Sequence, residues 1–240
     1  MPTNFSTSIF GTTASVDDLF VTADSFRQGT LWTWGQNTNG QLGVNDIVNR
    51  STPVQIFTQS TNWKQVDSGN GFTATIKSDG TLWTWGYGQN GQLGNNIASK
   101  GLSIFTPVTT FVGGTNWKQV STSAIAAAIK TDGTLWTWGN GVSGGLGDNT
   151  ATIKCTPVTT FSGGTNWKQV TGGKFHTAAI KTDGTLWTWG TNGTVQLGDN
   201  TGTTRSTPVT TFAGGTNWKQ VAGGSSHTAA IKTSDDLQGI

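Results

Sequence analysis

His176-Thr177-Ala178-Ala179-Ile180-Lys181-Thr182-Asp183-Gly184-Thr185-Leu186-Trp187-Thr188-Trp189-Gly190 is the stretch on which the fold turns. Two runs with β-type alternation flank Asp183-Gly184, a dipeptide suited to the positive φ angles of a type I′ turn, so the segment predicts a β-hairpin. Pairing outward from that two-residue turn sets Thr182 opposite Thr185, Ile180 opposite Trp187 and Ala178 opposite Trp189. Lys181 with Leu186, and Ala179 with Thr188, fall on the other face. Each indole then meets a small or branched aliphatic residue across the strand. A slip of one residue would carry both indoles to the opposite face.

The unit recurs. Leu-Trp-Thr-Trp-Gly starts at Leu31, Leu82, Leu135 and Leu186, about 51 residues apart. Asn-Trp-Lys-Gln-Val starts at Asn62, Asn116, Asn166 and Asn217. These two motifs hold all 12 tryptophans, Trp32, Trp34, Trp63, Trp83, Trp85, Trp117, Trp136, Trp138, Trp167, Trp187, Trp189 and Trp218, which are the predicted core. Short strands and Gly-rich turns at this period predict an all-β, β-propeller-like repeat array of four to five blades. No segment carries a sustained helical period with caps.

Residues 1–15 match no repeat unit and read as an N-terminal extension or anchoring arm; 16–240 read as the repeat domain. Leu19-Phe20-Val21-Thr22 stands where Ala-Ala-Ile-Lys stands in later copies, and no Trp strand follows Ala229–Lys232. Four blades result if Ala229–Lys232 lies beside Leu31–Trp34, and five if Leu19–Thr22 keeps that place. An open arc completed by a neighbouring subunit is a third arrangement.

Only 11% of the 240 residues are charged and the net charge is +2, which gives no bulk electrostatic basis for a nucleic-acid or membrane partner. No stretch approaches the ~20 apolar residues of a membrane span. The first residues lack a signal-peptide pattern, so synthesis in the cytoplasm is expected. Cys155 is single, excluding an intrachain disulfide, and reads as a small residue before a turn.

Reactive constellations are lacking in the sequence. His176 and His227 share a repeat position with Phe72 and Ala126, so they read as rings packed at an inter-blade turn with hydrogen-bonded nitrogens. Asn45-Asp46, Asn95-Asn96, Asp148-Asn149 and Asp199-Asn200 lack calcium-loop spacing and read as turn caps. No phosphate loop and no nucleophile–base set stands out, so no catalytic, cofactor or metal residues are expected. Two repeated cation rows, Lys64, Lys118, Lys168, Lys219 and Lys77, Lys130, Lys181, Lys232, read as solvated rings, or alternatively as a site for an anionic polymer. The copies diverge most across Val44–Ser51, Asn95–Phe105, Asp148–Cys155 and Asp199–Ser206. Invariant strands with divergent loops suggest a rigid frame with one variable face, on which Asp46, Arg50, Lys100, Lys154 and Arg205 are the candidate binding residues.

The set Leu82–Gly86, Gly91-Gln92-Leu93-Gly94, Thr106-Pro107-Val108 and Val170 through Gly184 resembles the regulator of chromosome condensation repeat. The resemblance covers roughly Leu19–Lys232 and implies a β-propeller, in that family usually of seven blades. It implies function less narrowly: founding members are guanine-nucleotide exchange factors and chromatin binders, others are ubiquitin-ligase modules or a plant ultraviolet photoreceptor. In that photoreceptor the absorbing tryptophans lie with arginines at a subunit interface. Here every Trp has a blade position and the only arginines are Arg27, Arg50 and Arg205, which favours packing. The near-identical copies and Thr/Asn/Gly bias look most like bacterial and bacteriophage versions, commonly surface or virion-associated. The expected function is therefore a non-enzymatic structural or binding propeller of a bacteriophage virion (tail, fibre or capsid decoration). Its expected partners are other virion proteins and a host-surface protein or glycan, with homo-oligomerisation left open. The alternative is a cytoplasmic protein-interaction module resembling the exchange factors.

Overall fold

The computed structural model describes residues 29–97 and 103–233, and every regular element among them is a β-strand. The chain opens with a two-stranded pair, β1 (Trp32–Gly35) and β2 (Arg50–Gln55). Three four-stranded antiparallel meanders follow. The first holds β3 (Trp63–Ser68), β4 (Phe72–Lys77), β5 (Leu82–Gly86) and β6 (Ile104–Thr109). The second holds β7 (Trp117–Thr122), β8 (Ile125–Lys130), β9 (Leu135–Gly139) and β10 (Lys154–Thr159). The third holds β11 (Trp167–Gly172), β12 (His176–Lys181), β13 (Leu186–Gly190) and β14 (Arg205–Thr210). A second two-stranded pair, β15 (Trp218–Gly223) and β16 (Thr228–Lys232), closes the described array. Within each meander the Trp-Lys-Gln-Val strand comes first, the Leu-Trp-Thr-Trp-Gly strand third and the Thr-Pro-Val strand last. Proline sits in that outermost strand at a break in register, where no ladder N–H is needed.

The hairpin register differs from the expected one by one residue. Ile180 faces Leu186, Ala179 faces Trp187, Ala178 faces Thr188 and Thr177 faces Trp189. The cause is the loop, which has three residues rather than two. The Lys181 N–H donates to the Thr185 carbonyl at 3.0 Å, and the Gly184 N–H donates to the Lys181 carbonyl at 3.0 Å. Gly184 alone takes a positive φ, 78°, whereas a type I′ turn would need one at Asp183 as well. Asp183 instead turns its carboxylate onto the Thr185 N–H (2.9 Å) and hydroxyl (2.7 Å), contacts that hold its pKa below the ordinary carboxylate value. A hydrogen-bonded turn followed by a left-handed glycine adds one residue to the loop and slides the pairing by one.

That slide gives each sheet two unlike faces. One carries the indoles with Val170 and Ala179; the other carries Ala178, Ile180 and Leu186. Successive sheets stack the aliphatic face of one on the indole face of the next. Ala74, Ile76 and Leu82 pack with Trp117, Val120 and Trp138, and Ala127, Ile129 and Leu135 pack with Trp167, Val170 and Trp189. Trp167 meets Trp187 and Trp189 edge to face, at 6.3 and 6.0 Å between ring centroids, a favoured quadrupole arrangement. The first strands of neighbouring sheets are joined by glutamine. The Gln119 amide donates to the Val170 carbonyl (3.1 Å) and accepts from the Val170 N–H (3.2 Å), imitating a strand partner. Gln65 does the same with Val120, and Gln169 with Val221.

Ten of the twelve predicted core indoles are buried or half-buried, and Trp85, Trp117, Trp138, Trp167 and Trp189 are sealed completely. Trp32 and Trp34 depart from the expected core, with 50% and 61% of their surface exposed. They sit in the β1–β2 pair, which has no first and second strands beside it among the described residues. Nor does β16 pair beside β1 within the chain, as a closed four-blade ring would require. Leu19–Thr22 and the arm at 1–15 lie outside the described residues.

Candidate interaction surfaces

The variable loops are built on one plan. Each places an asparagine in the left-handed region, Asn45, Asn96, Asn149 or Asn200, with φ of 62–65°. The N–H groups of the first three donate to the outermost strand of the next sheet, at Phe105, Cys155 and Ser206. Three loops then close with an ion pair of their own: Asp46 with Arg50, Asp148 with Lys154 at 3.4 Å, and Asp199 with Arg205 at 3.0 Å. The Val48 N–H and the Arg50 guanidinium hold the Asp46 carboxyl below its ordinary pKa. Four predicted binding residues, Asp46, Arg50, Lys154 and Arg205, are thus clasps within three separate loops. Lys100 lies outside the described residues. Asp148 and Asp199 are tucked in while their cationic partners remain partly open to water, so these pairs serve chiefly to shape the loops.

One cation row is not a free solvated ring. The ammonium groups of Lys77, Lys130 and Lys181 lie 4.3–4.8 Å over pairs of indoles, and Lys232 lies 5.2 Å over Trp218 alone. Their charge is directed onto ring faces rather than towards a polymer. Lys64, Lys118, Lys168 and Lys219 are exposed on the first strands.

His176 is fully buried, with Nε2 2.9 Å from the Thr228 hydroxyl of β16 and Nδ1 without a partner, so only one nitrogen is bonded. His227 is exposed, since no sheet follows β15–β16 among the described residues to cover the ring as β16 covers His176. Burial, and secondarily the nearby His227, hold the His176 pKa below its ordinary 6.5. The unfolded chain therefore takes up this proton before the folded one does. Stability is insensitive to this group above 6.5 and declines as pH falls from there towards the folded value. His176→Phe should flatten the melting-temperature profile between about pH 7 and 5. Phe72 shows that a phenyl ring fits this repeat position, being 1% exposed there. An unchanged slope in the variant would assign the effect elsewhere.

A row of outward-facing phenylalanines lies outside the residues predicted from sequence. Phe57, Phe111, Phe161 and Phe212 occupy one repeat position and are 58–74% exposed. Each backbone N–H donates to the carbonyl of a loop glycine, Gly43, Gly94, Gly147 or Gly198, at 2.8–2.9 Å. The peptide is thereby fixed while the ring stands free. The residue before the ring, Ile56, Thr110 or Thr160, is buried. An inward residue followed by an outward one is the signal that could have marked these rings in Thr-Pro-Val-Thr-Thr-Phe. No group of three or more metal-ligating side chains occurs among the described residues.

Four stretches, 28–76, 79–124, 132–180 and 183–231, match the family profile described as the regulator of chromosome condensation (RCC1) repeat. Over 212 residues the chain is 29% identical to E3 ubiquitin-protein ligase HERC2 of Homo sapiens, covering 86% of this chain and 4% of that protein. It is 30% identical to ultraviolet-B receptor UVR8 of Arabidopsis thaliana over 209 residues, covering 85% of this chain and 47% of the receptor. The solved structure of Prp20p from Saccharomyces cerevisiae, reported with its binding to Gsp1p and histones, overlays with a TM-score of 0.73 at 20% identity, covering 87% of this chain and 53% of that one. The chain thus spans less than half the length of these two curated relatives.

Proposed function

Because the chain belongs to the regulator of chromosome condensation (RCC1) repeat family, we propose that it is a non-enzymatic binding propeller whose row of outward phenylalanines docks another protein. The observation that carries this reading is the regular exposure of Phe57, Phe111, Phe161 and Phe212 on rigidly bonded backbone. Exposed aromatic side chains on a fixed backbone suit interface anchors, and a residue that anchors an interface is worth about 2 kcal/mol or more when truncated. The protein captured by the wild-type chain, identified by mass spectrometry, is the ligand for the test. The double variant Phe111→Ser/Phe161→Ser should keep its melting temperature and lose at least ~30-fold in affinity for that protein. Undiminished affinity, or loss only on replacing the exposed lysines Lys118 and Lys168, sinks the reading.

The finer assignment is to a bacteriophage particle, with residues 1–15 as its anchor and a virion protein or a host-surface protein or glycan as partner. It is supported by the low charge and the near-identity of the copies. Truncating residues 1–15 and measuring incorporation into particles tests it. The exchange-factor alternative rests on membership of the repeat family, and predicts faster nucleotide release from a small GTPase.

A further inference from the structure

Each matched repeat begins just before the third strand of one sheet; three end within the second strand of the next, and the match at 79–124 ends one residue short of it. Four repeats in this phase form three full sheets, leaving an outer half, β1–β2, and an inner half, β15–β16. The two halves are complementary, and we propose that they join between two copies of this chain, β16 of one pairing with β1 of the other to make a composite sheet.

The fit can be read from the intact sheets. Gly43, Gly94 and Gly147 each lie against the indole nitrogen of the next sheet's second tryptophan: a Cβ built on them would stand 2.6–2.8 Å from Nε1 of Trp85, Trp138 or Trp189. Gly198 has the same backbone conformation, φ 63°, and nothing within 4 Å. Its slot is vacant, and Trp34, the one second tryptophan without a slot, is 61% exposed. The hydrogen bond waiting there is also defined. Trp85, Trp138 and Trp189 donate to the carbonyls of Gln41, Gln92 and Gly145, and Gln196 is the matching acceptor for Trp34. Thr228 already bonds the Gln196 carbonyl as Thr73 and Thr177 bond their counterparts.

The other mismatches close at the same junction. Lys181 covers both Trp167 and Trp187, while Lys232 covers Trp218 alone; Trp32, 50% exposed, is the missing ring. Val120, Val170 and Val221 are buried against the preceding sheet, whereas Val66 is 49% exposed, and so is its natural cover, Ile231, at 54%. The exposed Gln220 stands where Gln169 bonds Val221, poised to bond Val66 of the second copy. In the composite sheet Ala230 faces Trp32 and Thr228 faces Trp34, following the register of the third meander. β16 suits this place: Ala230 stands at the repeat position of Ala179, which is fully buried with Trp189, and Lys232 at that of Lys181, which covers the indoles. Each copy offers one open edge of each kind, so two copies joined head to tail can close through two such junctions.

Light scattering on the full 240-residue chain during size exclusion, over a concentration series, should give twice the mass of one chain. Trp34→Ser, which alters an exposed side chain, and Gly198→Leu, which fills the slot, should each raise the dimer dissociation constant at least ~30-fold. Phe111→Ser should leave it unchanged. Acrylamide quenching of the indoles should fall as the dimer forms and rise again on dilution. A chain monomeric at all concentrations overturns the proposal. So does a dimer indifferent to both variants, or a monomer in which Trp34 is already shielded, which would mean that the chain covers its own edge.

Discussion

Trp138→Ala is expected to lower the free energy of unfolding by about 3–5 kcal/mol, a large share of the ~5–15 kcal/mol that holds a typical domain together. The side chain is sealed from solvent, meets Trp117 edge to face at 6.4 Å and donates from Nε1 to the Gln92 carbonyl at 2.8 Å. Truncation leaves a cavity between two sheets and an unpaired buried carbonyl, and neither sheet can collapse into the space without losing the Gln65–Val120 contacts beside it. Denaturant titration followed by far-ultraviolet circular dichroism would measure the loss; a change below ~1 kcal/mol would mean that the sheets do not stack as described. Trp34→Ala alters the same motif position. In the dissociated chain it should cost no more than ~0.5 kcal/mol, because the indole there faces water.

Gly147→Ala should be nearly as damaging, at roughly 3 kcal/mol or more, because it combines a left-handed backbone with a steric conflict. Gly147 has φ 67°, and an added Cβ would stand 2.6 Å from Nε1 of the fully buried Trp189, which cannot move without releasing its bond to the Gly145 carbonyl. Gly198→Ala has the same φ penalty, about 1–2 kcal/mol, and no clash within the single chain. Thermal unfolding of the two variants, compared at a concentration where chains are separate, should therefore show the larger drop for Gly147→Ala. Equal drops would place the cost in backbone conformation alone and remove the indole from the slot.

Much of the architecture was legible because its signals are local. Alternation around Asp183-Gly184, proline at the head of the outer strand and the two Trp motifs are properties of short segments, so strands, turns and repeat period follow from them. The site was less legible. Asp46, Arg50, Lys154 and Arg205 stood out as charges in divergent loops, but whether a charge is free depends on what its loop folds back to touch, and three of these loops fold onto themselves. The phenylalanine row was not legible because Phe is ordinarily a core residue, whereas the turn after the outer strand aims it outward.

Local patterning was enough for an all-β repeat array and for the two motifs that carry its tryptophans. Only the tertiary structure decided the register and which indoles are dry. The register hangs on one hydrogen-bonded loop residue, since Asp183 binds Thr185 rather than adopting a positive φ. Burial belongs to the neighbouring sheet: Trp138 and Trp34 occupy identical surroundings in sequence, and one is sealed while the other is exposed because only one has a sheet stacked upon it.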